Sequence, residues 1–225
     1  MPSQDVTRAQ RMDTLFAEVN GDPIYDRSLP TIFYTDGSCT DNGRPFAAAG
    51  WGVCVHNSDK LAEFYGALPG AIQSNNRAEL VAVEAALQLV WNSNHQDCRV
   101  RADCNLACLT IDNTTDEWSW RSALGVKGWL SRWEKNGCRA ATGGRVSHSD
   151  IWRHILHWLR LFRDSPDRCV RVSHVKAHDG TVGNERADVL AKAGADLRFK
   201  LMEEQCPAGW YHNALSDYWL NRKPK

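Results

Sequence analysis

No apolar run in this 225-residue chain approaches the roughly 20 residues needed to cross a bilayer, and no signal-peptide core follows Met1. Net charge is missing too: 27 basic residues balance 27 acidic ones. There is therefore no global basic field of the kind that backbone-binding proteins usually carry, and any such field has to be local. Cysteine is not scarce, at eight residues, but CxxC pairs and partner Cys/His pairs at zinc spacing are absent. Repeats and low-complexity tracts are absent as well. Residues 1–30 hold five acidic and three basic side chains, the wrong balance for a mitochondrial transit peptide. These absences exclude a helical membrane protein and a zinc module. They point to reduced thiols in an intracellular setting, nuclear or cytoplasmic rather than secreted.

What is present suits one substantial core, with 43% hydrophobic and 24% charged residues. Three strand signals cluster early, at Ile32–Asp36, Ala48–His56 and Ala62–Leu68, with short links that imply an antiparallel meander. Ser74 is an N-cap for a helix running to about Trp91. A fourth strand, Cys98–Ala102, leads to Asp103 as the cap of a helix over Cys104–Ile111. Helices over Trp129–Lys135 and Asp150–Arg163, a strand at Cys169–His174 and a helix over Asn184–Leu197 complete the order. Antiparallel strands followed by helical crossovers predict an α/β fold with a mixed five-stranded sheet flanked by helices. The expected division is an N-terminal extension at 1–29, with a short helix near Thr14–Val19, a main domain at 30–197 and a C-terminal extension at 198–225. A polar insertion is expected at 112–128. The initial Met and the segments at both ends suggest a stand-alone chain, and a monomer is expected.

Four acidic residues stand in settings that ordinary surface charges avoid. Asp36 and Asp103 end apolar strands, and Asp188 lies near the start of the last helix. Glu79 shares a helix stripe with Val83, Ala86 and Val90, within about 60° at 100° per residue. A buried carboxylate without a partner is costly. Four that converge suggest hard divalent cations and phosphoryl transfer.

The segments Tyr34-Thr-Asp36-Gly-Ser-Cys39, Asn75-Asn-Arg-Ala-Glu79-Leu, Ala102-Asp103-Cys-Asn105 and Val175-Lys-Ala-His178…Asn184-Glu-Arg-Ala-Asp188 together resemble the type 1 ribonuclease H family over about residues 30–197. The resemblance implies the ribonuclease H-like fold and cleavage of the RNA strand of RNA–DNA hybrids, giving 5′-phosphate and 3′-hydroxyl ends. It implies two Mg²⁺ per site, with Mn²⁺ as a substitute, held by Asp36, Glu79, Asp103 and Asp188. His178 matches the family histidine, able to move a proton near neutral pH. Cys39, Asn42, Asn75, Asn76 and Asn105 match positions that read RNA 2′-hydroxyls, the group that separates RNA from DNA. Ser74 matches a hydroxyl on a DNA phosphate. Trp129 and Trp133 match an aromatic channel for deoxyribose, one face of a helix at i, i+4.

The chain departs from the family's pattern at several points. His148 stands where an Asn precedes the Asp150 helix, which would weaken the DNA phosphate pocket or make it pH-dependent. Glu134 and Cys138 replace a basic residue and a Trp, although residues 127–145 still carry five basic side chains against one acidic. The insertion, with Trp118 and Trp120, adjoins these elements. The rival readings are a catalytically silent hybrid-binding module and a transposase-like DNA nuclease on the same fold.

Overall fold

The computed structural model describes residues 17–18, 31–57, 60–93, 97–111, 129–177 and 180–205. Strands β2 (Thr31–Thr40), β3 (Ala48–Asn57) and β4 (Lys60–Ala67) form the antiparallel meander, and β5 (Asp97–Ala102) and β6 (Cys169–His174) add in parallel. The order across the sheet is β1-β4-β3-β2-β5-β6. The five expected strands are all there. The sixth, β1, is only the pair Ala17–Glu18, antiparallel to Tyr65 and Phe64 at the outer edge. A strand therefore lies where the sequence suggested a helix near Thr14–Val19. The expected insertion at 112–128 falls outside the described residues.

Helices α1 (Asn75–Ser93), α2 (Asn105–Ile111), α3 (Trp129–Asn136) and α4 (Ser149–Arg163) follow, and α5 (Val182–Gln205) closes the fold. Helices α1 and α4 pack together beside one face of the sheet. Their stripes, Leu80, Val83, Leu87 and Val90 on α1 with Ile155, Leu159 and Phe162 on α4, are fully buried with Phe33, Val53, Val55 and Val100. Each such side chain contributes roughly 1.5–3 kcal/mol on burial. The Ser74 cap forms as expected: its Oγ accepts from Arg77 N at 3.3 Å.

Helix α5 lies on the other face, across β2, β3 and β4. It sits at backbone distance. A Cβ on Gly50 would come within 2.1 Å of Ala195 N, and one on Gly194 within 2.4 Å of Gly66 O. The alternation Gly50-Trp-Gly52-Val-Cys-Val55 puts both glycines on this face and the large residues on the other. The helix continues past the expected end at Leu197, and Arg198 donates to Gly70 O at 3.2 Å.

Candidate active site

Asp36 does not end its strand. Pairing with β3 carries β2 on to Thr40, with Gly37 opposite Trp51 and Thr40 opposite Ala48. Strand pairing here overrides the poor strand propensity of glycine. Asp36 therefore projects from mid-strand and is only 9% exposed. Gly37 explains how it meets α1: a Cβ there would lie 2.1 Å from Glu79 N and 2.4 Å from Ala78 C. Only a bare backbone lets β2 and α1 touch, and that contact sets Asp36 beside Glu79.

Asp103 follows β5 directly, but the role of helix cap belongs to the next residue. Cys104 Sγ accepts from Ala107 N at 3.4 Å, and α2 begins at Asn105. Asp103 is thereby left free to face Asp36. The expected helix start at Asn184 puts Asp188 at the end of the first turn, yet α5 begins at Val182, so Asp188 lies in the second turn. The helix dipole fades within the first turn and does little for it. Lys192 instead donates to Asp188 Oδ2 at 2.6 Å, one turn on.

The electrostatics tie the four acids together. Burial raises the Asp36 carboxyl to about 8, negative Asp103 adds to the rise, and Asp188 and Glu79 add smaller amounts. The Gly37 N–H, 2.7 Å from Asp36 Oδ1, pulls the other way. Glu79 is also raised, first by burial and then by Asp103. It is steadied by the Cys104 thiol and by Asn75, whose Nδ2 donates to Glu79 Oε1 at 2.7 Å. Burial and the Glu79 carboxylate push the Cys104 thiol upward in turn, which keeps it a neutral donor. From the sequence, Cys104 is expected only as a reduced structural thiol at i, i+4 from Cys108, with no role in the site. Its position directly after Asp103 was the available signal.

Such a cluster repels itself until cations enter, and oxygen donors suit hard divalent ions. Among the described residues no three acidic, thiol or imidazole groups close around a single point.

The other expected site residues divide into three groups. Ser74, Asn75 and Asn76 form the start of α1 next to the acids, and Asn42 Oδ1 accepts from Asn75 N at 3.3 Å. Cys39 lies toward the end of β2 and Asn105 opens α2, exposed. Arg77, which the sequence reading left aside, makes a two-pronged ion pair with Asp150, with Nη1 to Oδ1 at 3.0 Å and Nη2 to Oδ2. It holds Asp150 down to about 2. His148 caps α4 in a left-handed conformation (φ 57°), and its ring takes no part in the capping. Burial and the nearby Arg77 cation lower its basicity.

Trp133 does not present an open face. It is 8% exposed and packs edge-on against Trp152, with ring centroids 5.5 Å apart. The i, i+4 stripe that suggested a sugar platform is at Trp133 a core stripe. Cys138 is buried in the same cluster. His178 and the side chains of Trp129 and Glu134 lie outside the described residues.

A family model described as RNase H matches residues 29–196. The chain belongs to the ribonuclease H family. The Ribonuclease H of Nitrosomonas eutropha is 33% identical over 163 residues, 72% of this chain and 88% of that protein. Among solved structures, LC9-RNase H1, a type 1 RNase H with the type 2 active-site motif, superposes with a TM-score of 0.55 at 19% identity, covering 79% of this chain and 76% of that one. The foamy viral protease-reverse transcriptase in complex with an RNA/DNA hybrid gives 0.56 at 21% identity, covering 80% of this chain and 22% of that one. At such identities these two likenesses establish the ribonuclease H fold alone. No helix among the described residues is long and apolar enough to cross a membrane.

Proposed function

We propose that this ribonuclease H cuts the RNA strand of RNA–DNA hybrids endonucleolytically, with two divalent cations, leaving 5′-phosphate and 3′-hydroxyl ends. One observation carries the reading: Asp36 is raised to about 8 by burial first and then by Asp103, with smaller additions from Asp188 and Glu79, an arrangement that bound cations would relieve. When bound, the cations supply an activated water and stabilise charge on the leaving oxygen. Asp36, oriented by the Gly37 N–H, Glu79, Asp103 and Asp188 would hold the cations, with Asp188 giving up its bond to Lys192. His178 is assigned to proton movement at the leaving group.

Recognition follows from the donors around this centre. Asn75 spends its amide N–H on Glu79, so its Oδ1 is left to accept from a ribose 2′-hydroxyl. Cys39, Asn76 and Asn105 present further groups along the RNA strand. Asn42, by accepting from Asn75 N, positions that helix start. On the DNA strand, Ser74 Oγ and His148, at the two helix starts joined by the Arg77–Asp150 pair, are assigned to a backbone phosphate. Trp129 is assigned to the DNA strand as well.

The test is cleavage of an end-labelled RNA–DNA hybrid in Mg²⁺ and in Mn²⁺, beside single-stranded RNA, duplex RNA and duplex DNA. Hybrid-only cutting, lost in Asp36→Asn, is the expected result. Hybrid binding without cutting in either metal would make the chain a silent binding module, and equal cutting of duplex DNA would make it a DNA nuclease.

A further inference from the structure

The half of the sheet away from α5 carries a row of guanidinium groups that the reaction leaves unused. Along β5, Cys98, Val100 and Ala102 are buried in the main core. Arg99 and Arg101 therefore project from the opposite face, the face on which α5 packs chiefly on β2, β3 and β4. Across the strands, Arg99 stands beside Ile32 and Arg171, and Arg101 beside Tyr34 and Ser173. The Nε atoms of Arg99 and Arg101 are buried and have no hydrogen-bond partner among the described residues. Among the described residues no carboxylate pairs with either side chain. Half-buried guanidinium groups whose Nε atoms lack a partner, and which no carboxylate pairs, suit an anionic occupant.

We propose that this face binds the phosphates of a single strand that continues from the hybrid beyond the active site. The inference rests on the hybrid reading above and extends it. Alternation puts Asp103 on the same side as Arg101 and Arg99, so the row starts at the carboxylates and runs away from them at about 6.6 Å per step. A polyanion is already present at its upper end whenever substrate is bound. Guanidinium groups pair with phosphate in two-pronged fashion and stack on bases, so they suit a strand free of its complement. An acidic protein partner fits less well, because protein interfaces rely on buried aromatic or aliphatic anchors. Here Tyr34 is already covered, at 6% exposed, and Ile32 is half-covered.

The test compares the full chain with its Arg99→Gln/Arg101→Gln form, both carrying Asp36→Asn to prevent cutting. Binding is measured by fluorescence anisotropy across a salt series. The probes are a blunt hybrid and the same hybrid with single-stranded DNA overhangs of about ten nucleotides at each end, within the usual span of single-strand sites. The Arg-bearing protein is expected to bind the overhung probe about 3- to 10-fold more tightly than the blunt one, with a salt slope steeper by about 1.4 for two single-strand phosphates. The Gln form loses that difference and binds the blunt probe unchanged.

Equal affinities for the two probes in the Arg-bearing protein, or a gain that survives in the Gln form, would overturn the proposal. A loss shared by both probes, with a lower melting temperature, would make the arginines structural and overturn it too. The Arg99→Lys/Arg101→Lys form keeps the charge and should keep most of the slope; its failure alongside the Gln form also points to packing. Competition by poly-glutamate at this face, without an overhang effect, would assign the face to an acidic protein. If neither protein binds the blunt hybrid, the underlying hybrid reading falls as well, which separates the two failures.

Discussion

Replacing Asp36 with Asn should destroy catalysis and yet strengthen the metal-free protein. Asp36 is 9% exposed, and its carboxyl is raised from 3.8 to about 8, first by burial and then by Asp103. A raised carboxyl pKa means that the folded state holds a proton which the unfolded chain has released. Its stability contribution is complete below about pH 4 and is lost as pH climbs toward about 8. At pH 7 the gap above 3.8 corresponds to a ceiling of about 4 kcal/mol, at 1.36 kcal/mol per pH unit. Relaxation of Glu79, Asp103 and Asp188 leaves about half, and about 2 kcal/mol shifts Tm by roughly 4–8 °C in a chain of this size. Asn keeps the shape and still accepts from the Gly37 N–H. Thermal unfolding in EDTA at pH 5 and pH 8 measures the effect: Asp36→Asn gains little at pH 5 and the full amount at pH 8. Adding Mg²⁺ should then stabilise the Asp protein more than the Asn one. An Asn variant less stable than its parent at pH 8 in EDTA would refute the argument that repulsion dominates this site.

Other expectations follow from the same geometry. Gly37→Ala forces β2 and α1 apart where a Cβ would meet Glu79 N at 2.1 Å. It should cost several kcal/mol and most of the activity, read together by denaturant melts and hybrid cleavage. Asp150→Asn removes the partner of Arg77. Because Asp150 is 46% exposed, solvent screening holds the loss to about 1 kcal/mol; the depressed carboxyl makes that loss present above pH 4 and gone near pH 2. His148→Asn should abolish any rise in hybrid affinity on going from pH 7.5 to pH 5.5, because protonating the ring beside a DNA phosphate favours binding. A parent protein whose affinity is flat over that range would remove His148 from the pocket. Cys104→Ala takes a donor from Glu79 and should reduce kcat with little change in hybrid Kd, while Cys104→Ser should restore it.

Much of this molecule could be read from its residues, and the misses have physical causes. The strand and helix order follows from period-2 and period-3.6 patterning, and the acids stood out because charge does not belong at the ends of apolar runs. The length of β2 was hidden because Gly37-Ser-Cys39 has no strand pattern of its own and is held extended only by β3. Trp133 was ambiguous for a different reason. A helix stripe facing the core and one facing a ligand look alike until the packing partner, here Trp152, is known. The arginines of β5 went unremarked because alternation with Val and Cys reads as an ordinary half-exposed strand. Only the reach of α5 shows which strands that helix leaves uncovered.

The contact of α5 with bare backbone at Gly50 and Gly194 has a consequence for how the protein tolerates change. Most helices ride on a cushion of side chains that can reshuffle when one is altered. This helix rides on rails, with no cushion to absorb a new methyl group. A substitution along the seam shifts the whole rod, and with it the carboxylate of Asp188 at the working end. Distant changes on β3 or β4 should therefore register first as a loss of catalytic alignment, before the fold itself gives way.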